Sequence, residues 1–513
     1  MTIVETQYGK VEGFETDGLH VFLGIPFAAP PVKEKRWAPP CEPTPWSGTL
    51  ECRSWSSQSW QPIVDDLGPL EFTMSPSAKA NRSEDCLYLN VWSPGLDQAK
   101  RPVLVWIHGG GFEGGTAGTP MHEGASLSLR GDVVVVTINY RLGALGFLNL
   151  NEVTGGRIPA SGNEGLLDQI KALEWVRDNI DRFGGDPNRV TLFGESAGAM
   201  SIGILLTMDP AKGLFNQAVL QSGACSTAQT SERAAEVAQT FLTCAGIEDS
   251  TSTEEILALD PKVLVEAGRT ASTQLGGAMI FQPCIDGVHL AEMPINKVKS
   301  GSADDVRLLV GATRDEWRLF TSMAGLFLSD FDEDLLQTVL STRISDPANV
   351  INSYKEIRSA RGQGVAPADL FAAIETDRVF RLPGVHLSEV IASRGLETYQ
   401  YLFTWESPWG DGTLGSPHGI DIGFVFGTHT FSESSSQFFG HGSEADALAA
   451  SVQDAWLAFA HTGTPSINGE EWPAYDLTQR STVLLGKVIE TDSDPFGAER
   501  EVWTEVDAQI GAL

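Results

Sequence analysis

A serine with glycine two positions to either side lies at Gly194-Glu195-Ser196-Ala197-Gly198, inside the stretch VTLFGESAGAMSIGILLTM that runs from Val190 to Met208. The residues before it form a short β-branched and aromatic run, the pattern of a buried strand. Those after it form an apolar segment of helical length. Strand, G-x-S-x-G and helix together predict a nucleophile elbow, a turn so sharp that its serine takes up a strained backbone conformation. Side chains at 194 and 198 would collide with the neighbouring strand and helix, and glycine removes both collisions. The helix that follows points its positive end at charge developing beside the Ser196 oxygen. The chemistry this pattern serves is acyl transfer through a covalent serine intermediate.

Such chemistry needs a base, an acid that orients the base, and donors for an oxyanion. The apolar run Pro102 to Ile107 leads directly into His108-Gly109-Gly110-Gly111-Phe112. A triple glycine after a strand leaves backbone N–H groups bare and outward, as an oxyanion hole requires. The strand VRLLV at 306–310 delivers Asp315 and Glu316, adjacent acids at a strand end. The chain order for this fold class is nucleophile, acid, histidine. That order leaves His386, His418, His429, His441 and His461 as bases. Spacing prefers His418, on the Gly/Pro loop GSPHGID after the strand TYQYLFT at 398–404.

The elements that must hold these groups are legible in outline. Residues 2–28 alternate short β-like runs with turns and predict a small antiparallel N-terminal sheet. Residues 30–83 are rich in Pro, Ser and Trp and read as irregular. Further strands are predicted at 87–92, 102–107, 132–139 and 218–220. The run DVVVVTIN at 132–139 has the continuous apolar character of a strand buried on both faces. A helix is predicted from Glu164 to Phe183, with Leu166, Ile170, Leu173, Ile180 and Phe183 at helical spacing and Gly184-Gly185 stopping it. Strand, helix, strand in this order implies parallel, right-handed βαβ units. Residues 230–300 read as helices and loops, and 330–395 as mostly helical.

The chain has 513 residues, 42% hydrophobic and 20% charged, with no repeat, linker or low-complexity tract to divide it. One domain spanning 1–513 is expected. Its formal charge is −32, from 35 basic and 67 acidic residues. That excess argues against nucleic acid and anionic membrane surfaces as partners and favours neutral over anionic substrates. The first residues lack a basic region followed by an apolar run, and no apolar run reaches about 18 residues. The expectation is a cytoplasmic protein without a membrane span. Six cysteines at irregular spacing form neither a disulfide scaffold nor a zinc site.

Taken together, these motifs resemble the type-B carboxylesterases, a family that includes cholinesterases, fungal lipases and bacterial p-nitrobenzyl esterases. The matching stretches are GIPFAAPP at 24–31, SEDCLYLNVWSP at 83–94, PVLVWIHGGGF at 102–112, NYRLGALGFL at 139–148 and GNEGLLDQIKALEWVRDNIDRFGGDPNRVTLFGESAGA at 162–199. QSG at 221–223, GATRDEW at 311–317, PHGIDIGFVFG at 417–427 and FAHTGTP at 459–465 continue them in family order. The resemblance implies an α/β-hydrolase fold: a large, mostly parallel central sheet, helices on both faces, a small antiparallel N-terminal sheet and helical insertions. It implies Ser196 as nucleophile, Glu316 as acid and His418 as base. It implies backbone N–H groups of Gly110, Gly111 and Ala197 as oxyanion donors. Glu195, Ser222 and Asp421 match supporting positions around the triad. Phe112 and Trp317 are expected to line the pocket.

Two departures shape the remaining expectations. Secreted members bridge the equivalent of Cys86 to an upstream cysteine, where this chain reads Ser59-Trp60-Gln61, and the usual mate of Cys244 is missing. Reduced thiols are expected, in keeping with the cytoplasm. The choline-binding Trp of cholinesterases is also absent, since no Trp lies between Gln61 and Val91. The expected reaction is hydrolysis of neutral short- to medium-chain esters, with no metal and no cofactor, by a monomer or weak homo-oligomer. A lipase acting on insoluble acylglycerols is the nearer alternative. A noncatalytic cholinesterase-like binding protein is the remoter one.

Overall fold

The computed structural model of the chain describes residues 2–63, 81–277, 279–328, 330–504 and 506. Of the stretch read as irregular, 64–80 lies outside the described residues.

Alternation along the strands builds the two sides of the core. In β6 (Arg101–Ile107), Val103, Val105 and Ile107 join one apolar cluster while Leu104 and Trp106 join the other. The strands in chain order are β1 (Thr2–Glu5), β2 (Lys10–Thr16), β3 (Leu19–Pro26), β4 (Thr49–Glu51), β5 (Tyr88–Ser93), then β6, β7 (Val134–Ile138), β8 (Gly185–Glu195) and β9 (Gln217–Gln221). They continue with β10 (Arg307–Thr313), β11 (Thr398–Phe403), β12 (Ser466–Ile467), β13 (Glu470–Glu471), β14 (Ser481–Leu485) and β15 (Glu490–Ser493). Apart from the β12–β13 pair, they form one sheet in the order β1-β2-β3-β5-β7-β6-β8-β9-β10-β11-β14-β15, with β4 against β2. Every pairing from β7 through β14 is parallel. The N-terminal strands pair antiparallel as expected, and β3 joins them to the main sheet through β5. Helices cover both faces, so the architecture is that of an α/β-hydrolase.

The predicted strands are observed within a few residues, and all five residues of β7 are buried. The predicted helix at 164–183 is an α-helix over Glu164–Asn179 that tightens into a 3₁₀ turn over Ile180–Phe183. Its stop is Gly184, whose φ of 81° only glycine adopts readily. A third apolar cluster lies apart from the sheet, built by Leu336, Leu340, Tyr354, Phe371, Ile374 and their neighbours on helices between 333 and 375. The helix Leu382–Ser393 that follows them packs on β10 and β11.

Parallel strands end together, and the loops that leave them converge on one edge. β6 delivers residues 108–112, β8 delivers Glu195 and Ser196, β10 delivers 314–316, and the loop after β11 delivers 404–418. A buried ion pair fixes the underside of this edge. Arg141 donates from Nε and Nη2 to both oxygens of Asp168 at 2.8 Å, and from Nη1 to the carbonyls of Arg36 and Ala38. Both ionic side chains are essentially unexposed. Removing one partner strands the other charge, so Asp168→Ala is expected to cost about 3–5 kcal/mol of stability in chemical denaturation.

Candidate active site

Ser196 sits between the end of β8 and the helix Ala197–Leu205, at φ 57° and ψ −125°. That conformation is strained for any residue with a Cβ. Close packing permits it. A Cβ on Gly198 would lie 2.0 Å from the Ile107 carbonyl oxygen, and one on Gly194 would lie 2.7 Å from the same atom. The serine is therefore pinned against β6 by two glycines that let its backbone through. Its own N–H donates to the Gln221 carbonyl at 2.9 Å, and Ser222 N–H donates to Gly311 at 2.8 Å. Ser222, also at positive φ, is fully buried, and its hydroxyl has no partner among the described residues. Its contribution to the site is this backbone tie.

Beside the serine lies the glycine loop. Gly110 and Gly111 have φ of 111° and 64°. Among the described residues, the N–H groups of Gly110, Gly111 and Ala197 make no hydrogen bond. Unpaired amides at the edge of a site are available to an anion. The side chain of Met279 packs over Gly111, within 3.0 Å of where a Cβ would be. Phe112 does not line a pocket. Its backbone turns at φ 61° and its ring is fully enclosed, edge-on to Phe147. Core packing claims it instead. Trp317 stays partly exposed, and its ring lies 4.9 Å from that of Phe320 and 5.9 Å from that of Phe380.

Glu316 and His418 meet across 102 residues of chain. His418 Nδ1 lies 2.6 Å from Glu316 Oε2, while Oε1 accepts the Thr313 N–H at 2.6 Å. Glu316 has no exposure at all. The short Nδ1 contact assigns the ring proton to Nδ1 and leaves Nε2 turned towards Glu195. Of the two adjacent acids, Asp315 turns the other way. It accepts the Ser416 N–H and returns its own N–H to the Ser416 carbonyl, both at 2.9 Å. That reciprocal pair clasps the acid loop to the histidine loop.

Two carboxylates crowd this one imidazole, and a third, Asp421, lies in their field. Glu195 Oε1 lies 3.0 Å from His418 Nε2. The approach has ion-pair distance without hydrogen-bond alignment, so Oε1 is left without a hydrogen-bond donor. Asp421 is fully buried and accepts from Tyr401 Oη at 2.9 Å and Gln221 Nε2 at 3.0 Å. Burial opposes the charged ring of His418, but Glu195 and Glu316 outweigh it and push its pKa up to about 10. Burial first, then Glu195, push Asp421 up to about 7. The raised histidine contributes stability that is full below 6.5 and lost as pH climbs through about 10.

Sequence reasoning missed the rings that hold His418. Phe380 lies 4.5 Å and Phe320 5.1 Å from the imidazole, centroid to centroid. Phe380 comes from a π-helical segment, Thr376–Arg381, wound between two α-helices. Such segments are uncommon and concentrate at functional sites. The one local signal is Pro383, which offers no N–H to the preceding turn. Among the described residues, no group of three His, Cys, Asp or Glu side chains is placed to hold a metal ion.

The sequence matches the model of the carboxylesterase family over residues 1–502. It is 37% identical to the para-nitrobenzyl esterase of Bacillus subtilis (strain 168) over 510 residues, 97% of this chain and 98% of that protein. It is 31% identical to the acetylcholinesterase of Leptinotarsa decemlineata, over 93% of this chain and 81% of that protein. Among solved structures, the Geobacillus stearothermophilus carboxylesterase EST55 at pH 6.2 superposes with a TM-score of 0.87 at 36% identity, covering 98% of this chain and 100% of that one.

If Phe380 keeps the imidazole in register, Phe380→Ala should lower kcat for a p-nitrophenyl ester by roughly 10- to 100-fold with KM changed less. Steady-state kinetics on the folded variant is the check.

Proposed function

Because the chain belongs to the carboxylesterase family, and is therefore a carboxylic ester hydrolase, we propose that Ser196, His418 and Glu316 carry its reaction through an acyl-enzyme. The observation that supports this reading most is the Glu316–His418 contact at 2.6 Å, beside a strained serine and three unpaired amides. The Ser196 hydroxyl attacks the ester carbonyl as Nε2 of His418 takes its proton. Glu316 holds the Nδ1–H tautomer and stabilises the imidazolium. The carbonyl oxygen, now anionic, is met by the N–H groups of Gly110, Gly111 and Ala197. Each such donor is worth about 2.7–4 kcal/mol of barrier. His418 returns the proton to the leaving alcohol, and water repeats the cycle on the acyl-enzyme.

In the resting geometry Nε2 faces Glu195 rather than the serine hydroxyl. Glu195 therefore competes with Ser196 for the imidazole and favours its protonated form. Turnover requires the neutral ring, so activity rises as that proton leaves.

The substrates proposed are neutral esters with short to medium acyl chains. The acidic surface disfavours anionic ones, and the aromatic group Trp317, Phe320 and Phe380 supplies an apolar wall beside the base. Relatives named for para-nitrobenzyl esters, fumonisin B1 and phenmedipham fit a site that accepts varied alcohol portions. The whole chain is read as one such domain, acting as a monomer or weak homo-oligomer. Among the described residues, no helix is long and apolar enough to cross a membrane, and all six cysteines are unbridged. The location proposed is the cytoplasm, where thiols are kept reduced.

Ser196→Ala should lower hydrolysis of p-nitrophenyl esters by several orders of magnitude, on the order of 10⁴-fold or more, with its far-UV spectrum unchanged. Hydrolysis near the original rate would overturn the assignment. Glu195→Gln removes one of the charges that raise His418. The basic-going limb of kcat/KM against pH should then shift to lower pH; an unmoved midpoint would remove Glu195 from the account.

A further inference from the structure

Beside the acid loop, against Arg314 and Asp315, the fold forms a polar cleft. Four arginines line it, Arg314, Arg318, Arg358 and Arg381, with Gln363 and Glu499 among the other walls. It has room for about two water molecules or one small oxyanion. Such a gathering of guanidinium groups is unexpected in a chain with formal charge −32.

The pairing around the cleft leaves one guanidinium without an acid of its own, while Arg314 also reaches Glu406 at 2.9 Å, so arginines and carboxylates balance in number. Asp315 is held by Arg314 at 2.8 Å, Asp369 by Arg318 at 2.7 Å, Asp377 by Arg381 at 2.6 Å and Glu499 by Arg361. Each acid in the wall already has its own arginine. Among the described residues, Arg358 has no carboxylate within ion-pair distance. Its Nε donates to the Gly364 carbonyl at 2.8 Å, and its two terminal nitrogens make no hydrogen bond. Burial holds its guanidinium below the usual arginine value, against the pull of Asp369, Asp315 and Asp377 and with a smaller push from Arg318. Arg381 adds an independent sign. Its side chain is 6% exposed, and its Nη2 has no hydrogen-bond partner among the described residues.

The remaining orphans in the same walls are acceptors, Gln363 Oε1 and Glu499 Oε2. The amide offers a donor instead if its two ends are exchanged. The Glu499 oxygen asks for a donor from the occupant. A ligand that satisfies the whole set must accept from two guanidinium groups and donate to a carboxylate. Guanidinium forks match tetrahedral and planar oxyanions. From this juxtaposition we infer that the cleft between the helix Pro347–Ala360, the π-helical turn and the helix Gly497–Val502 is a binding site for a small oxyanion that still carries a proton, such as phosphate near neutral pH. Arg358 and Arg381 accommodate its negative oxygens and Glu499 receives its hydroxyl.

Isothermal titration calorimetry with inorganic phosphate, in Hepes at fixed ionic strength near pH 7, tests this on the intact protein. A saturable one-to-one heat is expected. Sulfate, of the same shape but without a proton, should bind at least tenfold more weakly. Arg358→Gln should weaken phosphate at least tenfold, and Arg358→Lys, which keeps the charge without the fork, should fall between. Absence of saturable heat with the natural sequence would overturn the site, and that arm needs no variant to fold. Equal binding of sulfate, or undiminished phosphate binding by a folded Arg358 variant, would overturn it as well.

Discussion

A carboxylate without access to water grips an imidazole, and the top of the molecule is arranged around that grip. Glu316 is tolerated at zero exposure because its two oxygens are both met, one by Thr313 N–H and one by His418 Nδ1. Buried pairs of this kind add little net stability, because desolvation consumes most of the attraction. They do fix geometry, since any displacement leaves a charge unpaired. The contact therefore works as a register pin between the loop after β10 and the loop after β11. Asp315 reinforces it through its reciprocal bonds with Ser416, two residues from the histidine.

The same economy explains the crowding of acids. One imidazole faces Glu195 and Glu316, and Asp421 lies within their field. Three full negative charges would repel one another strongly in so dry a place. Protonation eases this at two points, by holding His418 charged and by raising Asp421 towards neutrality. The site thus rests in a state that stabilises the fold more than it serves the base. Strain at Ser196 is tolerated for the same structural reason: β6 and the glycines at 194 and 198 leave its backbone nowhere else to go.

Much of this was legible in the residues. The apolar runs marked the parallel strands because a strand covered on both faces needs continuous hydrophobicity, as in β7. The elbow and the triple glycine were legible because their backbone demands can be met by so few residue types. Local pattern could not separate Asp315 from Glu316, which are neighbours on one turn; only the three-dimensional path shows one facing Ser416 and the other His418. Nor could it reveal that Glu195 takes the Nε2 side, or that Phe320 and Phe380 pack on the ring. Those contacts join segments far apart in sequence, and near Phe380 only Pro383 hints at the unusual turn, without showing which ring it packs on. Phe112 misled for the opposite reason. Its place beside the glycines pointed to the pocket, but the positive φ there swings the ring into the core.

The direct measurement is the rate at which a fluorophosphonate modifies the protein, with the modified peptide identified by mass spectrometry, for the natural sequence and Glu316→Gln side by side. The account predicts a single adduct on Ser196 and a rate that falls by roughly 10²- to 10⁴-fold when the carboxylate that orients His418 is replaced. An adduct on another residue, or equal rates in the two proteins, would contradict it.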